Sequence, residues 1–273
     1  MSLRDVELKR EYRSLIDNVA KDFYIPLLKQ AVTYKRAVGF FSSSALAEIS
    51  KGILGLVKNG GTIQLVASPY LSDEDIEAIK KGYELREKII ENALLRELHS
   101  VNTDIEQDRL NLLASLIADG VLDVKIALTE QNGQIGMYHE KMGIIADSEG
   151  NKVAFSGSMN ESATAMTINY EAIDVFCSWH DEKDRVASKE NAFTAIWNNV
   201  EPNIVTMDFP NVKDEIIKRY RKGTVTDPDR KEYGDDVYIS RKPNTCWISK
   251  PDFVKFYDYQ IDAIISWENE NYR

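Results

Sequence analysis

The sequence predicts an α/β fold in which helices flank a mixed, mostly buried β-sheet. Short apolar segments alternate with amphipathic helical segments over residues 37–200, and this alternation is typical of a layered α/β domain. Two apolar segments, 137–147 and 152–158, are separated only by the turn-rich sequence SEGN, which predicts a pair of adjacent strands. Such a pair favours a mixed sheet over a purely parallel one.

Local patterns predict the individual elements. Residues 5–34 are charged and carry an apolar stripe, which predicts a helix, and Pro26 predicts the start of a second helix. Ser42 as N-cap and Gly60-Gly61 as a stop delimit a helix after the first strand. The predicted strands are 37–41, 62–68, 122–129, 137–147, 152–158 and 171–179, and the other predicted helices are 72–119 (with breaks), 181–200 and 212–223.

The composition changes near residue 200, which predicts the end of the sheet domain there. We expect a first domain over residues 1–200 and a helical and linker region over 201–250. Residues 251–273 are expected to be the truncated start of a further domain. The predicted architecture therefore includes a short C-terminal helical and linker extension.

The charge balance and hydropathy restrict the partners. The formal net charge is −10, which argues against non-specific coating of nucleic acid, because phosphate contacts require Lys and Arg. A local basic cleft is compatible with this balance. No apolar run approaches the roughly 18 residues that span a bilayer, and the charged N-terminal residues lack the apolar core of a secretory signal. We therefore expect a soluble, cytoplasmic protein with no membrane partner.

The cysteine and histidine patterns argue against a metal site. Cys177 and Cys246 are far apart, and no C-x-x-C occurs. The three histidines, His99, His139 and His180, show neither H-x-H nor H-x-x-x-H spacing. Catalysis by this domain is therefore expected to use no metal and no other cofactor.

Two neighbouring predicted strands carry polar residues that suit catalysis. His139 and Lys141 are two apart, so their side chains face the same side of a strand, and Gly143 leaves room beside them. Ser158 and Asn160 are also two apart, at the exit of the partner strand. A regular hairpin would bring an imidazole, an ammonium, a hydroxyl and an amide into one pocket.

These four groups suit a phosphodiester substrate. Lys141 can supply positive charge to the non-bridging oxygens, and Ser158 and Asn160 can donate hydrogen bonds to the same atoms. A neutral His139 can attack phosphorus and form a covalent phosphohistidine, which divides one displacement into two. A carboxylate is the usual partner that holds such an imidazole in the required tautomer.

The pattern H-x-K followed by G-S-x-N resembles the HKD motif of the phospholipase D superfamily, with His139, Lys141, Gly157, Ser158 and Asn160 at the matching positions. The resemblance implies a phospholipase D-like layered domain. It also implies that His139 is the nucleophile and that Lys141, Ser158 and Asn160 bind the phosphate. The joint pattern is much more specific than an isolated H-x-K.

Two acidic residues extend the resemblance. The family motif has an Asp five residues after the Lys, where this chain has Ala146, and Asp147 follows one place later. The Asp of the family motif is therefore either shifted to Asp147, as a possible supporting residue, or lost. In the nuclease branch of the superfamily, a Glu that opens the strand after G-S-x-N supports the catalytic His, and Glu171 matches that place.

The resemblance also implies a homodimer. The superfamily uses two H-x-K elements, one for attack and one to protonate the leaving oxygen. This chain has one, because neither His99 nor His180 is followed by x-Lys. A two-fold homodimer in which both copies of His139 meet across the axis would supply the second.

The wider chain resembles part of a helicase. AVGFFSSSAL and GGTIQLVASPYLSDEDIEAI, within residues 30–180, resemble the phospholipase D-like domains at the N-terminus of bacterial DEAD/DEAH-type helicases, some of them restriction-like. Residues 256–267 resemble the segment that opens the first motor domain of superfamily 2 helicases, where Gln260 would contact adenine. No GxxxxGK[ST] P-loop occurs, so ATP and Mg²⁺ are expected only in a missing C-terminal helicase domain.

Three functions remain open at this point. The favoured one is a metal-independent nuclease that acts on DNA rather than RNA. The alternative is a catalytically weak nucleic-acid-binding module, for which aromatic side chains that stack on bases are available in Trp179, Trp197, Tyr220 and Tyr233. A phospholipid-active enzyme is less favoured, because the chain lacks a transmembrane segment and a basic amphipathic membrane face.

Overall fold

The computed structural model describes residues 2–69, 71, 75, 86–98, 104–132, 134–160 and 162–222. Its strands are β1 (Glu11–Arg13), β2 (Thr33–Val38), β3 (Thr62–Ala67), β4 (Leu122–Gln131), β5 (Gln134–Met137), β6 (Met142–Ala146), β7 (Lys152–Gly157), β8 (Ala172–Cys177) and β9 (Ile204–Asp208). They form one sheet in the order β1-β8-β7-β6-β2-β3-β4-β5, with β9 paired to β4. β2, β3 and β4 are parallel and the other pairings are antiparallel, which confirms the predicted mixed sheet.

Helices of varied length connect the strands. Within the described ranges they are α1 (Ile25–Leu28), α2 (Ser43–Glu48), α3 (Ser50–Lys58), α4 (Arg86–Leu98), α5 (Asp104–Ala118), α6 (Ala163–Thr167), α7 (Lys183–Trp197) and α8 (Pro210–Tyr220). α3 ends at the predicted glycine pair. Gly60 has a φ of 72°, and the Gly61 amide donates to the Leu56 carbonyl at 2.9 Å, which satisfies a carbonyl of the last turn.

Apolar side chains pack on both faces of the sheet. On one face, Phe193 of α7 belongs to a cluster with Ile144 of β6. On the other face, Phe23, Tyr24 and Phe155 pack edge to face, with Phe155 5.0 and 5.5 Å from the other two ring centroids. The prediction of a mostly buried sheet between helices is therefore confirmed.

The predicted helix over residues 5–34 is wrong. A short 3₁₀ turn is followed by β1, which pairs with β8 at the edge of the sheet. Tyr12 of β1 is fully buried and its ring centroid lies 5.1 Å from that of Phe23, so tertiary packing overrides the local helical pattern. A π-helical turn then leads into α1, and Pro26 lies in the first turn of α1 as predicted.

The predicted strand over residues 137–147 is shorter in the structure. The segment is divided between two strands. β5, which pairs with β4, ends at Met137, and β6 begins only at Met142. Residues 138–141 between them have no regular structure. His139 and Lys141 therefore lie just before β6 begins. The prediction that they are part of a strand is wrong.

The sheet continues past residue 200. β9, which the sequence did not predict, pairs with β4, and α8 follows it. Lys213 of α8 forms ion pairs with Asp123 and Asp208, each at 2.5 Å, and the Lys222 amide donates to the Asn111 side chain at 2.7 Å. The sheet domain thus includes β9 and α8, which lie beyond the expected boundary at residue 200.

Several features of the sequence lie outside the described residues, namely the helix start at Ser72, His99, Tyr233, Cys246, Gln260 and the region 223–273. Over the part of the chain that is described, every helix is too short or too polar to cross a lipid bilayer.

Candidate active site

Four chain segments meet at one end of the sheet. β2 leaves the sheet towards Gly39 and β7 leaves it after Gly157, whereas Lys141 leads into β6 and Glu171 leads into β8. Because β6 is antiparallel to both β2 and β7, and β7 is antiparallel to β8, these two strand starts and two strand ends share one edge.

The structure brings His139 and Lys141 together. The Lys141 Nζ lies 2.8 Å from His139 Nδ1 and donates to the His139 carbonyl at 2.6 Å. Lys141 is buried, with 7% of its surface exposed, whereas His139 is exposed. The exposed imidazole of His139 thus contacts the buried ammonium of Lys141, and an anion from solvent can bind beside this pair.

The surroundings of Lys141 disfavour its charged form. Burial lowers the pKa of Lys141, and the positive charge of Arg36 lowers it further, while the carboxylate of Glu171 acts in the opposite direction. The net pKa lies below the ordinary value for lysine. Arg36 and Glu171 therefore both lie within electrostatic range of the Lys141 ammonium.

Ser158 and Asn160 are held at the same edge by backbone contacts. The Ser158 amide donates to the Ala172 carbonyl at 3.0 Å, and the Ala172 amide donates to Ser158 Oγ at 3.2 Å. The Phe40 backbone amide donates to Asn160 Oδ1 at 3.1 Å. This bond uses the side-chain oxygen of Asn160 and leaves its two Nδ2 hydrogens available. Both side chains thus retain hydrogens that can be donated to an anion.

Two glycines allow the strands to approach closely at this edge. A Cβ on Gly157 would lie 1.9 Å from the Ala172 carbonyl oxygen, and a Cβ on Gly39 would lie 2.9 Å from the His139 ring. The glycine of G-S-x-N is therefore required by the packing of β7 against β8.

Glu171 is anchored by the N-terminal segment. The Ser14 amide donates to the Glu171 carbonyl at 3.0 Å, and the Glu171 amide donates to Ser14 Oγ at 2.7 Å. Ser14 is fully buried, and its hydroxyl donates to the Asn169 carbonyl at 2.5 Å. Within the described chain no hydrogen bond joins Glu171 to His139, whose ring contacts Lys141.

Asp147 lies at the opposite end of β6 from His139 and Lys141. Asp147 Oδ2 accepts from Ser2 Oγ at 3.0 Å and from the Leu3 amide at 2.9 Å, and Oδ1 accepts from the Glu149 and Asn151 amides. The carboxylate therefore ties the β6–β7 turn to the N-terminus. The structure does not bring it to the other expected site residues.

Replacing Asp147 by asparagine is expected to destabilise the fold by about 2 kcal/mol at pH 7, because one accepting oxygen becomes a donor. Burial alone would raise the pKa of Asp147, but hydrogen bonds from Asn151, Leu3 and Ser2 outweigh burial and lower it. A folded pKa below the unfolded value means that this stabilisation is present above the unfolded pKa and disappears as the pH falls through the folded one.

Urea unfolding at pH 7 and at a series of lower pH values measures this effect. The difference between wild type and Asp147→Asn should shrink as Asp147 protonates. Glu149→Gln, in the exposed part of the same turn, is the matched control. Equal stability of Asp147→Asn and wild type at pH 7 would contradict the assigned role.

The other candidates for chemistry lie elsewhere. His180 is exposed beyond the far end of β8, beside Trp179. Trp197 stacks on Phe193, and Tyr220 is buried, so both serve packing. Among the described residues no group of three His, Cys, Asp or Glu side chains could hold a metal ion.

Sequence reasoning missed Arg36. This residue is in β2 and is 1% exposed, and it acts electrostatically on Lys141. The predicted strand began only at Ala37, so Arg36 was left outside it. Strand alternation places Arg36 on the same face as Tyr34 and Val38. An arginine between two such residues on one face is a signal that could have identified it, because charged side chains are rarely buried in a sheet.

No protein-family model and no curated protein matches the sequence. Among solved structures, NucT from Helicobacter pylori is similar over 72% of this chain and 97% of that chain, with 16% identity and a TM-score of 0.44. Nuc from Salmonella typhimurium, described as a phospholipase D family member, is similar over 73% of this chain and 97% of that chain, with 13% identity and a TM-score of 0.40. Phosphatidylserine synthase from Haemophilus influenzae Rd KW20 covers 72% and 41% with 11% identity and a TM-score of 0.41. Similarities at this level do not determine the chemistry.

Proposed function

We propose that this chain is a metal-independent phosphodiesterase of the phospholipase D type that cleaves nucleic acid, with DNA favoured over RNA. The observation that carries the proposal is the 2.8 Å contact between His139 Nδ1 and Lys141 Nζ. Ser158 and Asn160 lie at the same edge of the sheet and can donate to a phosphate there. The H-x-K and G-S-x-N motifs support the same reading.

The proposed reaction has two displacements. In the first, His139 Nε2 attacks phosphorus, a P–N bond forms, and the P–O bond to the leaving oxygen breaks as that oxygen is protonated. Lys141 balances the charge on the non-bridging oxygens, and Ser158 and Asn160 donate to them. In the second, water attacks phosphorus, the P–N bond breaks, and the proton of the water returns to the group that protonated the leaving oxygen.

The contact between His139 and Lys141 requires a rearrangement before attack. An ammonium at Lys141 donates to Nδ1, so a neutral ring then carries its proton on Nε2, the attacking atom. A substrate phosphate that binds Lys141 would break the contact between Lys141 Nζ and His139 Nδ1. The ring proton can then be on Nδ1 and form a hydrogen bond to a carboxylate. Glu171 is the proposed acceptor, because it opens β8 at the same edge.

We propose that a second copy of the chain supplies the proton donor for the leaving oxygen. The sequence contains one H-x-K, and two copies of His139 that meet across a two-fold axis would divide the two roles. A purified heterodimer of wild type and His139→Ala should therefore have almost no activity, and not half. A protein that is monomeric by light scattering at the assay concentration and fully active would contradict this arrangement.

We also propose that the domain is the N-terminal part of a longer cytoplasmic helicase–nuclease. The resemblance over residues 30–180 and the segment 256–267 support this context. In that chain the motor domain, with Gln260 at the adenine, would use ATP and Mg²⁺, whereas the domain described above would use neither.

An assay in EDTA tests the proposed function. The rate at which each DNA substrate, single- or double-stranded, is cleaved should be unchanged by the chelator, since no step requires a metal. Cleavage that depends on added Mg²⁺ would contradict the histidine mechanism. Salt-sensitive binding without cleavage would favour the binding module, and hydrolysis of phosphatidylcholine vesicles in a parallel arm would favour the lipid-active alternative.

A further inference from the structure

Arg36 is a buried arginine in the middle of the sheet. It is 1% exposed and is paired through the backbone with Leu65 of β3 and Gly143 of β6. Burying a guanidinium between strands is unfavourable unless specific contacts compensate. The contacts of Arg36 therefore indicate what its side chain does.

Among the contacts of the guanidinium, one is with β7 and one is with the segment that follows β7. Its carbon lies 5.1 Å from the centroid of the Phe155 ring, and its Nη2 donates to the Met159 carbonyl at 2.6 Å. A Cβ on Gly143 would lie 2.2 Å from the Phe155 ring, so the ring lies across Gly143. Because Gly143 has no side chain, the Phe155 ring can lie across it and pack against the Arg36 guanidinium.

The Met159 carbonyl belongs to the segment that carries the expected phosphate ligands. Ser158 and Asn160 flank Met159, whose own side chain is fully buried. The Phe40 amide, at the exit of β2, donates to the Asn160 side chain at 3.1 Å. β2 therefore holds this segment at two points, through the Arg36 side chain and through the Phe40 backbone.

Arg36 also places a permanent charge near the site. A guanidinium remains protonated at all physiological pH values, whereas a buried lysine does not necessarily do so. The charge of Arg36 acts on Lys141 through space. Arg36 thus acts as a positive charge on Lys141 at any physiological pH.

We infer that Arg36 is a positioning residue for the phosphodiesterase reaction, which holds residues 158–160 in place relative to His139 and Lys141. The inference rests on the proposed function and deepens it. Arg36 is buried and does not touch the substrate, so it acts through the peptide of Met159.

Kinetics of Arg36→Met and Arg36→Lys test the inference, with Lys35→Met as the matched control. Lys35 precedes Arg36 on β2, faces the other side of the sheet and pairs with Glu190 at 3.6 Å. Both Arg36 variants should lose kcat on the order of 10²-fold, because displaced phosphate ligands miss the transition state, with a smaller change in KM. Lys should not rescue, since its ammonium cannot stack on the Phe155 ring as the planar guanidinium does while it donates to the Met159 carbonyl. Wild-type kcat in a folded Arg36→Met protein would overturn the inference.

Amide hydrogen exchange gives a readout that does not depend on activity. Exchange at the Ser158 amide, which donates to the Ala172 carbonyl, and at the Phe40 amide, which donates to Asn160 Oδ1, should accelerate in Arg36→Met and remain unchanged in Lys35→Met, with circular dichroism establishing that each variant is folded. Unchanged exchange would overturn the positioning role even if DNA cleavage is observed. If wild type cleaves no phosphodiester, the proposed function fails and the exchange comparison still decides whether Arg36 orders the segment. Should Arg36→Met not fold, Arg36→Lys carries the same comparison.

Discussion

Alanine at position 139 is expected to lower the rate of phosphodiester cleavage by about 10⁴-fold or more, as is typical when a covalent nucleophile is removed. The Lys141 ammonium and the Ser158 and Asn160 donors would remain, so substrate binding should weaken much less than turnover. Single-turnover cleavage of end-labelled DNA in EDTA measures the loss. The other exposed histidine of the described chain, His180, provides the control, and His180→Ala should retain wild-type activity.

The same substitution tests for the covalent intermediate. Denaturing wild type during turnover should trap labelled DNA on the protein through an acid-labile, alkali-stable P–N bond. The adduct should be missing from His139→Ala and present in His180→Ala. An adduct that survives in His139→Ala, or cleavage at wild-type rate, would refute the role proposed for this imidazole.

Alanine at position 157 is expected to destabilise the fold by about 3 kcal/mol, the upper range for overpacking. The new Cβ would lie 1.9 Å from the Ala172 carbonyl oxygen, and this backbone atom can move only if β7 and β8 separate. The separation would also displace Ser158, whose amide and hydroxyl both bond to the Ala172 backbone. Chemical unfolding should thus show reduced stability, and cleavage should fall at temperatures where the variant is still folded.

Gly136→Ala is the matched control for this substitution. A Cβ there would lie 2.5 Å from the Thr129 hydroxyl, which is a side-chain atom that can rotate away. The cost should remain below about 0.5 kcal/mol, within the range of ordinary surface changes. If the two alanine variants were equally stable, the close approach of β7 and β8 would not be the reason for the glycine.

Local apolar patterns predicted several strands with little error. The segments predicted at 62–68, 152–158 and 171–179 correspond to β3, β7 and β8, because each contains enough apolar residues to mark the buried face of a strand. The N-terminal region was misassigned, because Tyr12 is in a strand only through its pairing with Ile173, far along the chain. Local propensity contains no information about such a partner.

The chemical groups of the site were also visible in the sequence, but the roles of the carboxylates were not. His139 and Lys141 are neighbours in the chain, so their proximity follows from local geometry. The family resemblance implied a supporting role at the site for both Asp147 and Glu171. Their surroundings differ. Asp147 binds Ser2 and Leu3, whereas the backbone of Glu171 is held by Ser14 and its carboxylate acts electrostatically on Lys141.

By itself, the sequence determined the α/β class, the mixed sheet and the set of an imidazole, an ammonium, a hydroxyl and an amide next to the ends of neighbouring strands. These follow from short-range periodicity and spacing. Only the tertiary structure decided that Asp147 stabilises a turn, that Ser14 anchors Glu171 and that Arg36 supports the segment around Met159. Each of these contacts joins residues distant in the chain, and such contacts leave no periodic trace in the sequence.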